Sequence, residues 1–118
     1  MWDEAGRLTE WLGEVPVEAQ LLKLSEEVGE VAEAYLGMTG LNPRKVFTHT
    51  RDDLVHEVAD VIISAAVAIV QLSGSPGAAQ AAFETHLASV LTRAGLEAPL
   101  PGTPPAPAGR PGPAAGGR

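Results

Sequence analysis

Apolar residues in the first 98 positions recur three and four apart, and no segment alternates with the two-residue period of a strand. The pattern predicts four helices. The first covers about 3–13, with Ala5, Leu8 and Leu12 on one side. Pro16 suits the first turn of a second helix, for which Gly37 is a natural C-terminal stop. The stretch "MTGLNPRKVFTHT", residues 38–50, contains Gly40 and the Asn42–Pro43 pair and reads as a linker. A third helix, capped by Thr50 or Asp52, runs to about Ser73 and stops at Gly74. Ser75 followed by Pro76 starts a fourth, which ends near Gly95. The expected fold class is all-α.

The second and third helices carry the chemistry. On the second, Leu21, Leu24, Val28, Val31, Ala32 and Tyr35 share an apolar arc of about 100°. Glu26, Glu27 and Glu30 stack beside Lys23 on the neighbouring flank, with Glu33 nearer the back. Glutamate is a good helix former, so this flank taken alone is most simply a solvated face. The third helix changes that reading. Between Leu54 and Ser73 its only formally charged residues are Glu57 and Asp60, three apart on one face of a helix that is otherwise apolar nearly all round. A carboxylate beside a core costs several kcal/mol unless something compensates it, and Lys45, Arg44 and Arg51 are too few to do so. Helices joined by a linker of this length lie antiparallel, so Glu27 and Glu30 can face Glu57 and Asp60. Four converging carboxylates form a hard oxygen site suited to Mg²⁺ or Mn²⁺.

Composition narrows the partners. Residues 99–118 hold seven of the ten prolines and five of the thirteen glycines, too little apolar surface to offset ordering, so a helical domain over 1–98 and a disordered tail are expected. The net charge is −7; Arg110 and Arg118 in that tail contribute +2, leaving −9 on residues 1–98. Such a body repels a phosphate backbone, so direct nucleic-acid binding is not expected, and a polyphosphate substrate needs metal ions as the bridge. There is no cysteine for disulfides, thiolate ligands or thiol nucleophiles. The most apolar run, residues 61–72, is shorter than the roughly 20 residues of a membrane span, and no basic, apolar leader opens the chain. A cytoplasmic protein without membrane contact is the expectation.

The two acidic segments, "EEVGE" (26–30) and "EVAD" (57–60), together read E-E-x-x-E … E-x-x-D. With the preceding lysine-leucine and the following "GEVAEA", the pattern over residues 8–92 resembles the MazG-like, all-α nucleoside triphosphate pyrophosphatase superfamily, in its small single-domain branch. The resemblance implies a four-helix MazG-like bundle completed by oligomerisation. It also implies Mg²⁺-dependent hydrolysis of a nucleoside triphosphate to the monophosphate and pyrophosphate, a house-cleaning reaction. Carried over, Glu27, Glu30, Glu57 and Asp60 hold the metal, with Mn²⁺ as a substitute, and Glu26 orients or deprotonates the attacking water.

Lys23, Arg44 and Lys45 are candidate phosphate contacts, and Asn42, His49 and Trp11 candidates for base or sugar. Each has a plainer reading as surface charge, turn residue or, for Trp11, core. His56-Glu57 begins an H-E-x-x-H zinc motif, but position 60 is Asp and the motif fails. There is no E-x-x-H for a di-iron bundle, no Walker A loop and no G-x-G-x-x-G. Four short helices cannot cover the apolar third helix, so a homodimer or a dimer of dimers is expected. The competing reading is a MazG-like scaffold that binds metal, nucleotide or a partner with little turnover.

Overall fold

The computed structural model describes residues 1–41 and 47–96. Among the described residues there are four helices and no strand: α1 (Trp2–Leu12), α2 (Val17–Thr39), α3 (Arg51–Ser73) and α4 (Pro76–Arg93). The chain is all-α, as its periodicity predicts. No single helix among the described residues is long and apolar enough to cross a membrane. Asn42, Arg44, Lys45 and the expected tail lie outside the described residues. The chain divides into two units, residues 1–85 and 86–118; of the second, the end of α4 and the turn to Leu96 are described.

The helix ends follow local chemistry, with two changes from the sequence expectation. Pro16 is the N-cap of α2, with an extended ψ of 143°, and helical geometry begins at Val17. Gly37 does not stop α2. The helix continues to Thr39 and ends at Gly40, whose φ of 68° lies in the left-handed region that costs other residues roughly 1–2 kcal/mol. Gly37 has a different task. It is buried, its carbonyl accepts a hydrogen bond from the Thr48 N–H at 3.1 Å, and a Cβ there would collide with Thr48 Oγ1 and His49 Nδ1. The segment entering α3 therefore lies directly on the last turns of α2.

Thr50 is the cap of α3. Its Oγ1 accepts from the Asp53 N–H at 3.2 Å while Asp53 Oδ2 accepts from the Thr50 N–H at 2.8 Å, a reciprocal capping box. The backbone and side-chain hydrogen bonds from Thr50 hold the Asp53 carboxyl below the usual carboxylate range. Ser75 caps α4 as expected, its Oγ accepting from the Ala78 N–H at 3.1 Å.

Helix α3 is central, with α2 and α1 packed against it. The α2 face in this seam is the line Gln20, Leu24, Glu27, Val31, Ala34 and Met38, spaced four and three apart and buried or half-buried throughout. Leu21, Val28 and Tyr35, from the expected apolar arc, are instead exposed. The seam is thus rotated toward the glutamates. On α3 burial is concentrated at Ser64 and from Ala66 to Val70, where Ala66, Val67 and Val70 join Ala5 and Ala79 in a small core. Helix α3 is not covered all round within one chain, as its apolar circumference predicts: Val55, Val58 and Ile62 remain exposed.

Candidate functional site

One buried hydrogen bond sets the register of the two central helices. Gln20 Nε2 on α2 donates to the Ser64 carbonyl oxygen on α3 at 3.0 Å, and both residues are buried. At the other end of the seam Thr48 meets Gly37, so the helices run antiparallel. Seven residues is about two helical turns. Two turns forward from Gln20 and two turns back from Ser64 bring Glu27 opposite Glu57. Gln71 Nε2 fixes the far end of α3 by donating to the Val15 carbonyl at 3.1 Å.

The carboxylates converge where this register puts them. Glu27, Glu57 and Asp60 each offer an oxygen, and these atoms all lie within 4.8 Å of one another. Glu27 is only 12% exposed at its side chain, Glu57 is half-buried and Asp60 reaches solvent. Glu57 Oε2 is buried and meets no hydrogen-bond donor. A buried, unpartnered carboxylate oxygen is costly, and most such atoms in folded proteins are satisfied. Glu30, one turn beyond Glu27, adjoins the cluster. Hydrogen bonding to Glu27, then the Glu27 charge, and further on Glu57 hold its carboxyl above the usual range.

Lys23 supplies the local positive charge. Its Nζ lies 3.0 Å from Glu27 Oε1, and that hydrogen bond and charge hold the ammonium above its ordinary value, with smaller contributions from Glu26 and Glu30. Among the described residues, the positive charge recorded at the cluster is this one lysine, beside Glu27, Glu26 and Glu30. The donor set is entirely oxygen, it spans a distance that one ion can bridge, and one oxygen lacks a partner. An all-oxygen cluster of this kind could hold a hard divalent cation.

The remaining candidates are dispersed. Glu26 is exposed on the turn that carries Lys23 and Glu27. His49 is half-buried at the far end of α2, its Nδ1 2.8 Å from Thr48 Oγ1 and its ring beside Gly37. Gly37 lies seven residues from Glu30, about 10 Å along the helix, so the structure does not bring His49 to the carboxylates. Trp11 is 80% exposed, which removes its reading as a core residue. It lines a cleft of about 160 Å³ with Leu8, Gln20, Lys23, Ile63 and Ser64, so the cleft reaches the lysine that pairs with Glu27. Sequence reasoning missed Gln20 and Gln71. Their only signal is polar residues on helices that are apolar at neighbouring seam positions.

Comparison of the chain with protein-family models, curated proteins and solved structures gave no match.

Proposed function

We propose that the protein is a Mg²⁺-dependent nucleoside triphosphate pyrophosphohydrolase of the MazG-like type. The observation that supports this reading best is the convergence of oxygens of Glu27, Glu57 and Asp60 within 4.8 Å, together with a buried Glu57 Oε2 that has no hydrogen-bond partner. In the reaction the water oxygen bonds to the α-phosphorus, the bond from that phosphorus to the bridging oxygen breaks, and the electron pair leaves with pyrophosphate. Bound Mg²⁺ supplies positive charge that screens the triphosphate and lowers the pKa of water.

The chain's own residues divide the remaining work. Glu27, Glu57 and Asp60 hold the ion, and Glu30 completes the oxygen set from the next turn of α2. Glu26, exposed beside them, accepts the proton of the attacking water. Lys23 offers an ammonium at the border between the carboxylates and the cleft under Trp11, a position suited to a phosphate oxygen. The exposed face of Trp11 is a platform on which a base can stack.

The test is a panel of ribo- and deoxyribonucleoside triphosphates with Mg²⁺ or Mn²⁺, with products resolved. Monophosphate plus pyrophosphate is expected, abolished by Glu57→Gln and by chelator. Diphosphate plus orthophosphate would refute the assignment of the cleaved bond. No cleavage with either metal, alongside intact metal binding, would leave the scaffold reading in its place.

A further inference from the structure

Gln20 on α2 and Ser64 on α3 are 2% and 5% exposed. Polar side chains so enclosed are normally fully hydrogen-bonded. These two are not. Gln20 Nε2 donates to the Ser64 backbone carbonyl, which leaves Gln20 Oε1 as an acceptor. Among the described residues the Ser64 hydroxyl has no hydrogen-bond partner. Alanine is as small at that position and lacks the roughly 1–3 kcal/mol cost of an unpaired buried hydroxyl. Close packing of the helices therefore does not account for the serine.

Both residues line the cleft of about 160 Å³ between α1, α2 and α3, whose other walls include Leu8, Ile63, Val67 and the exposed Trp11. A cavity of roughly 150 Å³ admits benzene, so this cleft suits a single six-membered ring, and a fused two-ring system stands partly outside it. Aliphatic walls and an indole match the faces of a flat ring. An acceptor and a hydroxyl match a ring edge that sets an N–H donor beside an acceptor. Uracil and thymine carry that edge as an imide N–H beside a carbonyl, and cytosine as an amino group beside a ring nitrogen. Purines carry similar edges, so it is the size of the cleft that separates the two classes.

The cleft also lies at a suitable distance from the carboxylates. Ser64 is four residues from Asp60, about 6 Å along α3. Lys23, which also lines the cleft, has its Nζ 3.0 Å from Glu27 Oε1. A ring seated on Ser64 thus has the lysine and the acidic cluster within the length of a nucleotide. We propose that Gln20 and Ser64 floor a subsite for a single-ring, pyrimidine-type base, with the Ser64 hydroxyl as its specificity-determining group. This rests on the nucleotide-hydrolase reading, for which it names the class of base.

The test uses the full chain carrying Trp2→Phe, in which Trp11 is the one remaining indole. It is titrated in chelator with uridine, cytidine, adenosine and guanosine, which carry no phosphate. Stacking should quench Trp11 fluorescence, and the two pyrimidine nucleosides should saturate at the lower concentrations. Ser64→Ala keeps the carbonyl that Gln20 binds. Its Tm should equal or exceed that of its parent, while uridine binding weakens about three- to tenfold. In hydrolysis the same substitution should raise KM for UTP and CTP with kcat little changed, and leave KM for ATP unaltered. Val28→Ala, on the exposed arc of α2, should move none of these values. A purine nucleoside that binds as tightly as uridine overturns the proposal. So does unchanged uridine binding in Ser64→Ala, the outcome for a serine that only packs. The two readings fail separately. Saturable uridine quenching with no triphosphate cleaved removes the hydrolase and keeps the subsite, whereas cleavage with equal kcat/KM for every base keeps the hydrolase and removes the subsite.

Discussion

Replacing Glu57 by glutamine should stabilise the metal-free protein and remove its response to Mg²⁺. Glutamine keeps the shape, removes one charge and adds a donor that Glu27 or Asp60 can accept. The gain follows from geometry. Two unit charges 4.8 Å apart repel by about 0.9 kcal/mol in a medium like bulk water. Glu57 makes two such pairs, with Glu27 and Asp60. Asp60 reaches solvent and can relax away, so the expected gain is about 1–2 kcal/mol at low ionic strength. In a domain of this size that corresponds to roughly 5–10 °C in Tm. The assay is a circular-dichroism melt in chelator and then in Mg²⁺. Wild type should rise with Mg²⁺, by about 2.7 kcal/mol at a hundred times Kd, while the variant should not respond. A less stable variant in chelator, beside a wild type that ignores Mg²⁺, would refute the reasoning. Glu57 would then be an ordinary seam residue whose removal only disturbs packing.

Three further outcomes follow from the same structure. Glu30→Gln should alter the pH dependence of the metal-free protein. The Glu30 pKa is raised above 4.5, so its contribution to stability is fully present below that value and lost as pH rises through the raised one. In chelator the variant should match wild type in acid and exceed it toward neutrality, read as Tm against pH. Asp53 has the opposite sign: its lowered pKa gives stability that is present above 3.8 and lost as pH falls through the lower folded value. Asp53→Asn should therefore lower stability near neutrality and match wild type in acid, whereas Thr50→Ala, which removes the hydroxyl that caps the Asp53 N–H, should cost about 1 kcal/mol by urea titration. Gln20→Met keeps the volume but loses the bond to Ser64, at about 1 kcal/mol. Because that bond sets the α2–α3 register, the Mg²⁺ needed for half-maximal stabilisation should rise too; an unchanged Mg²⁺ midpoint would show that other contacts fix the register.

The sequence was a good guide wherever local chemistry decides. Thr50, Ser75 and Gly74 mark helix ends because caps and left-handed turns depend on few neighbours. Gly37 and Gly40 could not be ranked in that way. Both are helix stops by residue type, and contact with Thr48 and His49 reserves Gly37 for close packing. The wheel erred for a related reason. Summed hydropathy aims Leu21, Val28 and Tyr35 at the core, but hydropathy does not register a glutamine that reaches a carbonyl on the next helix. Gln20 turns α2 so that Glu27 enters the seam. The acidic pairs themselves were legible, since two charges on a helix apolar from Leu54 to Ser73 are conspicuous in any register.

That rotation separates these acids from a solvated face. Acids on a solvated face keep their oxygens in water, and repulsion among them is screened to little. Here the rotation places Glu27 and Glu57 where an antiparallel pair normally buries leucine or alanine, and Glu57 Oε2 has lost water without gaining a donor. The cost falls on the α2–α3 contact, with Gln20–Ser64 on one side of the cluster and the Gly37–Thr48 approach on the other. Selection for stability alone would replace either acid with an apolar residue of similar volume, a change that is often stabilising in buried ion clusters. A seam that keeps three carboxylates within 4.8 Å gains from them only when a cation is present. If the cluster holds Mg²⁺ as proposed, its binding is linked to α2–α3 packing, and Mg²⁺ should slow hydrogen exchange in the middle of both helices more than in α1.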